Sequence, residues 1–316
     1  MISVVLLGLA ALLGAGSSFS GAINSFIGRE IGFIRATFLF LSLGSGLAWL
    51  LMLLFDEALS PAGLVTLFSK QPYLAIPGLV NGLLILVIIQ ATAAVGTTIT
   101  TACLFSGQMS ISLWLDHIGF AGLRTIPINP GRLVALVALL VGVVLLSGSR
   151  QRAESPTTDV LGLGATGSKR PNPLAMGGVL VVGGLLSGAN SLNAALGQAA
   201  GVFTATLFFL GPGVVLLPLL SAAFVPPTGS GLLKSWQPLY LMPGILNVLY
   251  IAGSVFLVPI LGVQTMTSTV FTAKVFTGLL IDRYGWFGVP QSPLTSLRLA
   301  AAFLLSLGVF LSSVFS

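Results

Sequence analysis

The strongest constraint on this chain is that it repeats itself. QPYLAIPGLVN (Gln71–Asn81) returns as QPLYLMPGILN (Gln237–Asn247), and LWLDHIGFAG (Leu113–Gly122) returns as LLIDRYGWFG (Leu279–Gly288), each 166 positions later. Nearer the two starts, SGAINSFIGREIG (Ser20–Gly32) is echoed by SLNAALGQAAG (Ser191–Gly201), at an offset of 169. That echo pairs Asn24 with Asn193, Gly28 with Gly197 and Gly32 with Gly201. The three-residue change of offset falls in the long loop after each second apolar segment. PINPGR (Pro127–Arg132) is likewise matched by PLTSLR (Pro293–Arg298). A fold for this chain must accommodate the same unit twice.

Composition says where the unit lives. Of the 316 residues, 55% are hydrophobic and 6% charged, and the mean hydropathy is +1.07. Soluble domains carry roughly 25% charged residues. At about 20 apolar residues per crossing, ten spans can be drawn. They lie near Ile2–Ile23, Ile31–Phe55, Tyr73–Thr92, Thr97–Leu115 and Leu133–Leu146, then Leu174–Ala189, Gly201–Phe224, Leu239–Pro259, Gln264–Ile281 and Leu299–Phe315. Backbone in lipid must satisfy its own hydrogen bonds, and no alternating strand pattern is present, so the spans are read as helices. The N-terminal run MISVVLLGLAALLGAG lacks the positive region of a secretory signal, and its partner in the second half is internal; it is expected to remain as a span. The expected fold is an all-α polytopic membrane protein.

Between the halves the composition turns polar, basic and rich in Gly, Ser and Pro, which reads as a flexible linker. The expected division is residues 1–147, a first five-helix repeat; 148–173, the linker; and 174–316, a second five-helix repeat. Five is odd. Two such units in tandem must enter the membrane from opposite sides, giving an inverted repeat about an axis in the membrane plane. Arg29, Arg35, Arg150, Arg152, Lys169, Arg170, Lys234, Arg283 and Arg298 fall on the linker side, against Lys70, Arg124 and Arg132 on the other. This excess puts the linker in the cytoplasm and both termini outside.

Several functions are disfavoured. The single cysteine, Cys103, permits no internal disulfide, and His117 is the sole histidine. No cluster of metal ligands is therefore apparent, and no GxxxxGK[ST] phosphate loop occurs. Neither enzymatic activity, nor a cofactor, nor a metal is expected. The pI near 10.0 reflects loop residues that set topology, so nucleic acid is not an expected partner. The lipid bilayer and a small-molecule substrate are, and the chain would act as a monomer or a homodimer.

Candidate residues come from comparing the copies. Helical spacing puts Thr101, Phe105, Gln108 and Ser112 on one face, and their mates are Thr267, Phe271, Lys274 and Gly278. Two matched stripes suggest facing walls of a cavity, although hydroxyls can bond back to their own helix and the phenylalanines can simply pack. The departure at Lys274 is chemically loud: an intramembrane ionisable residue usually faces water or a partner. It would serve a carboxylate or phosphate on the cargo or titrate as part of coupling; alternatively it would pair with Glu30 or be held as the neutral amine. The acidic residues Glu30, Asp56, Glu57, Asp116, Glu154, Asp159 and Asp282 all lie in loops or at helix ends, which argues against hydrophobic cations as cargo. Pro77-Gly78 and Pro243-Gly244, at the start of each third helix, would either break it and free carbonyls for a cavity or only kink it. Asn24, Asn81, Asn193 and Asn247 either join helices or, at Asn81 and Asn247, touch cargo.

These residues resemble the drug/metabolite transporter superfamily, and most closely its YdcZ-like branch. The match is carried by N-x3-G-[RQ]-x2-G (Asn24–Gly32, Asn193–Gly201), by the PG-x2-N motifs, and by the copies ending in LWLDHIGFAG and LLIDRYGWFG. The branch shows Gln at the Gln108 position, so Lys274 departs from its pattern. The resemblance implies five-helix units, here fused in tandem, and an alternating-access carrier of small metabolites with a site between the halves. The expected cargo is small and polar, anionic or zwitterionic. Lys274, Gln108, Thr101, Thr267, Asn81 and Asn247 would contact it, between Phe105 and Phe271. A membrane scaffold or partner subunit, and a flippase for lipid-linked substrates, are the competing readings.

Overall fold

The structure is a computed structural model that describes residues 2–56, 61–95, 97–151, 173–224, 237–288, 291 and 293–315. Among these there are eleven α-helices and no strand. The first half holds α1 (Ile2–Ile31), α2 (Phe33–Phe55), α3 (Pro61–Lys70), α4 (Ile76–Val95), α5 (Thr97–Ile118) and α6 (Pro130–Gln151). The second holds α7 (Pro173–Ala200), α8 (Val202–Phe224), α9 (Met242–Leu261), α10 (Val263–Tyr284) and α11 (Ser296–Val314). All ten expected spans are helical. The protein is an all-α polytopic membrane protein.

The differences in extent have physical causes. α1 and α7 have 30 and 28 residues, about 45 and 42 Å at 1.5 Å per residue, and run well past the expected ends at Ile23 and Ala189. The sequences SFIGREI and SLNAALGQAA are polar enough to read as loop, yet they continue the helix and place its last turns beyond the roughly 30 Å hydrocarbon core. The short helix α3 was not expected in the loop after α2. Of the linker expected at 148–173, the first residues belong to α6, which ends at Gln151, and Pro173 already opens α7. The part from 152 to 172 lies outside the described residues.

Six helices among the described residues are long and apolar enough to cross by themselves. α5 and α10 are not among them, because threonine and serine replace much of their apolar surface: TTITTACLFSGQMSISLWLDHI and VQTMTSTVFTAKVFTGLLIDRY. Such helices cross the bilayer only with their hydroxyls turned inward or satisfied by their own backbone. Thr269 Oγ1 does the latter, donating to the Thr265 carbonyl at 2.7 Å.

The packing is two-fold symmetric. α1 lies on α9 and α10, while its mate α7 lies on α4 and α5. Of the five pairs of mated helices that the symmetry maps onto themselves, α2 with α8, α5 with α10, and α6 with α11 pack against each other. Each of these three pairs is antiparallel. The Asp56 carboxylate, just past the C-terminus of α2, accepts from the backbone N–H groups of Phe203 (3.3 Å) and Thr204 (2.5 Å) at the start of α8. Asp116, at the end of α5, does the same for Val263 (2.6 Å) and Gln264 (3.1 Å), which open α10. Asn129, just before α6, donates to the Phe315 carbonyl beyond α11 at 2.9 Å. Two copies of one helix that meet antiparallel are an inverted repeat.

Close contacts show how faithful the symmetry is. A Cβ on Gly183 of α7 would collide with the Leu104 carbonyl of α5, and one on Gly14 of α1 with the Val270 carbonyl of α10. Gly183 and Gly14 are 169 apart, Val270 and Leu104 are 166 apart, so these are the same contact twice. Gly142 against Leu305 and Gly308 against Leu139 repeat the pattern between α6 and α11. Small residues let helices approach closely in lipid, where packing rather than water drives association.

Candidate functional site

The two most hydroxyl-rich helices meet at the axis. Phe105 of α5 and Phe271 of α10 are symmetry mates, and their rings touch there with centroids 4.0 Å apart and a tilt of 34°. Phe271 is buried with Met109, Val275 and Leu305 in an apolar cluster that α5, α6, α10 and α11 share. The phenylalanines therefore face each other rather than lipid, and they fix the centre of the molecule.

Lys274 lies one turn beyond Phe271. Its Nζ sits 5.6 Å from the Phe105 ring centroid and 4.8 Å from the Tyr250 ring centroid on α9. Among the described residues it has no carboxylate partner and no hydrogen bond from its ammonium. The Glu30 ion pair is not formed: the Glu30 carboxylate accepts from the Tyr240 hydroxyl at 2.6 Å. Lys274 keeps part of its surface accessible, although it is eleven positions from the start of α10 and ten from its end. What the structure sets against this mid-membrane ammonium is the faces of two aromatic rings, which attract a cation.

The mate of Lys274 is also unsatisfied. Gln108 is 6% exposed and its Oε1 has no partner. On the neighbouring α7 the buried hydroxyl of Ser187 is unbonded as well, whereas its mate Ser18 on α1 donates to the Lys274 carbonyl at 3.3 Å. Buried amides and hydroxyls without partners are costly and uncommon. Lys274 on α10, Gln108 on α5 and Ser187 on α7 each keep bonding capacity that no described residue uses.

The remaining candidates divide. Thr101 lies at an exposed position of α5 and Thr267 is half-buried on α10, each one turn before its phenylalanine. The hydroxyl ends of the two stripes thus lead outward from the centre. Ser112 donates to the Met109 carbonyl of its own helix at 2.9 Å. Asn81 spends its amide on the Phe209 carbonyl of α8 at 3.2 Å, a bond that joins helices. Asn247 is half-buried on α9, three positions before Tyr250, so it lies on the same helical face.

The Pro-Gly motifs do not interrupt their helices. A single 3₁₀ turn, Pro72–Ala75 or Pro238–Leu241, leads into a continuous helix with Pro77 or Pro243 in its first turn. A missing N–H costs nothing there. The glycines serve close packing instead: a Cβ on Gly78 would meet the Phe208 carbonyl of α8, and one on Gly244 would meet Leu43 and Gly44 of α2.

Sequence reasoning overlooked Tyr250. A signal was present, because its mate 166 positions earlier is Leu84. The two departures, Gln108 to Lys274 and Leu84 to Tyr250, fall on residues whose second-half members touch.

At each end of the α5–α10 pair an acid and an arginine meet. Arg132, fully buried, bonds Asp116 (2.5 Å), the Gln264 side chain (2.9 Å) and the Ile126 carbonyl (2.9 Å). Its mate Arg298 approaches Asp282 to 3.9 Å. These clasps fasten helix ends and leave the central polar groups untouched.

Comparison with known proteins places this architecture. The profile of the family described as "Putative inner membrane exporter, YdcZ" matches residues 5–145 and again 174–311. The chain belongs to the YdcZ family. Its two matched segments are the two copies, in tandem. A solved crystal structure, described only as that of a protein, is similar over 99% of this chain and 96% of its own length, with a TM-score of 0.61 and 16% sequence identity. At that identity the likeness shows the fold alone. Among curated proteins none matches. Family membership makes the chain a membrane transporter; the central residues bear on what it carries.

Proposed function

We propose that this YdcZ-family chain is a secondary transporter that moves a small polar metabolite, anionic or zwitterionic, across the inner membrane by alternating access. The observation that carries this reading is the Lys274 ammonium, held mid-membrane between two aromatic rings with no acid beside it among the described residues. A fixed positive charge without a counterion recruits one, and a substrate carboxylate or phosphate is the natural candidate. Gln108 and Ser187, across the axis, offer an amide and a hydroxyl to the other end of the cargo. Halves related by an in-plane axis can rock about it and expose the centre to each side in turn. The linker is cytoplasmic, both termini are outside, and the family's description favours export.

A scaffold role would have Lys274 tied off by a neighbour, and Glu30, the acid expected to pair with it, is engaged by Tyr240. To test the reading, small carboxylates, amino acids and phosphorylated metabolites are screened for stabilisation of the purified protein. The strongest stabiliser is then followed into liposomes containing wild type or Lys274→Gln. Uptake of that compound should fall at least about tenfold in the variant, the loss expected for one charge-assisted contact. Unchanged uptake and unchanged selectivity would remove Lys274 from the site.

A further inference from the structure

We infer that Tyr250 is a positioning and specificity residue for Lys274: its ring holds the ammonium in place while leaving the charge free for an anionic ligand. The inference rests on the transporter reading above and adds a second residue to it. Three observations support it. The Lys274 Nζ lies closer to the Tyr250 ring, at 4.8 Å, than to Phe105, at 5.6 Å. The two rings come from different helices, α9 and α5, so the ammonium is framed from both sides. The repeat also changes at this pair together, with Leu84 and Gln108 in the first half where the second has Tyr250 and Lys274. An amide needs no aromatic face; an ammonium in lipid does.

The chemistry explains why a ring stands there rather than an acid. A carboxylate would hold Lys274 more firmly, but it would neutralise the charge and compete with any anionic cargo. The face of an aromatic ring attracts a cation through its quadrupole and accepts none of its three N–H bonds in full. The ammonium therefore stays oriented and under-satisfied. Replacing the ring by an aliphatic side chain would let Lys274 swing away without removing its charge. Selection for anions would then weaken although the lysine remained.

The probe is benzoate, whose carboxylate suits Lys274 and whose ring suits Phe105 and Phe271, with benzylammonium as its cationic counterpart. Apparent Kd values are read from thermal-shift titrations of the full chain in detergent. Wild type should be stabilised by benzoate and not by benzylammonium. Tyr250→Phe, which keeps the ring, should stay within about twofold of wild type, whereas Tyr250→Leu and Tyr250→Met should each bind benzoate about tenfold more weakly. The double variant Tyr250→Leu/Lys274→Gln should be no weaker than Lys274→Gln. Leucine and methionine are both smaller than tyrosine, so the melting temperature of each variant without ligand is read as well: a packing defect lowers it, whereas loss of the ring's hold on Lys274 shows in the benzoate Kd alone. If Tyr250→Leu and Tyr250→Met both bind like wild type while Lys274→Gln does not, the inference is wrong and the Lys274 site stands. If wild type fails to discriminate benzoate from benzylammonium, the anion site itself falls and Tyr250 with it.

Discussion

On one side of the axis, α10 with α1 and α9 presents a cation against the Tyr250 ring; on the other, α5 with α7 and α4 presents a neutral amide and an unbonded hydroxyl. The backbone beneath is the same. Gly14 meets Val270 as Gly183 meets Leu104, and Gly308 meets Leu139 as Gly142 meets Leu305. The duplicated unit thus repeats these close backbone contacts and changes side chains near the centre. The physical cause is that helices in lipid tolerate little change where their backbones touch, while a side chain clear of those contacts has no such constraint. A symmetric scaffold with an asymmetric lining can bind a cargo whose two ends differ.

The comparison can be broken first at the clasps, where the largest effect is expected. Arg132 is fully buried and bonded to three groups, and Asp116 also caps α10. Arg132→Met would leave the acid buried and unpaired, a loss of about 3–5 kcal/mol. The equivalent Arg298→Met should cost less, because its pair with Asp282 is longer, at 3.9 Å, and the acid is 15% exposed. Thermal unfolding in detergent ranks the two. Equal losses would mean that the two ends carry equal weight.

A second test concerns the shared frame. Gly14→Val and Gly183→Val push a branched side chain into a carbonyl at mated positions, and each should destabilise by about 1–3 kcal/mol, the usual range for overpacking. Similar losses are expected in the same assay; a large difference would show that the two crevices pack differently despite their matched glycines.

Much of the fold was legible in advance. An offset of 166 or 169 between copies, together with five spans in each, sufficed for the inverted repeat. The extra turns of α1 and α7 were hidden because polarity marks the membrane boundary and not the helix boundary. The Pro-Gly motifs misled for a related reason: proline signals a local backbone feature, and only the position of the helix start decides whether it breaks a helix or begins one. Phe105 with Gln108 on α5, and Phe271 with Lys274 on α10, were visible as matched stripes. Tyr250 comes from another helix, and its proximity to Lys274 is a product of packing that spacing within α10 could not reveal. Asn81 was open between two readings, and its bond to Phe209 favours the joining of helices.

That distinction supplies the smallest and most selective prediction. Asn81 and Asn247 occupy mated positions, yet Asn81 donates to α8 while Asn247 makes no hydrogen bond among the described residues. Replacing each by leucine should therefore have opposite signatures. Asn81→Leu loses an interhelical bond worth about 0.6 kcal/mol and should lower thermal stability slightly, with benzoate affinity unchanged. Asn247→Leu removes no such bond, so stability should hold. On the face of α9 that carries Tyr250, it should instead weaken benzoate binding about two- to threefold, the effect of one neutral hydrogen bond made to the ligand or to its water. If both variants shift stability and neither shifts affinity, the asparagines are a symmetric pair of helix joints, and the chemical difference between the halves is confined to Lys274, Tyr250 and their mates.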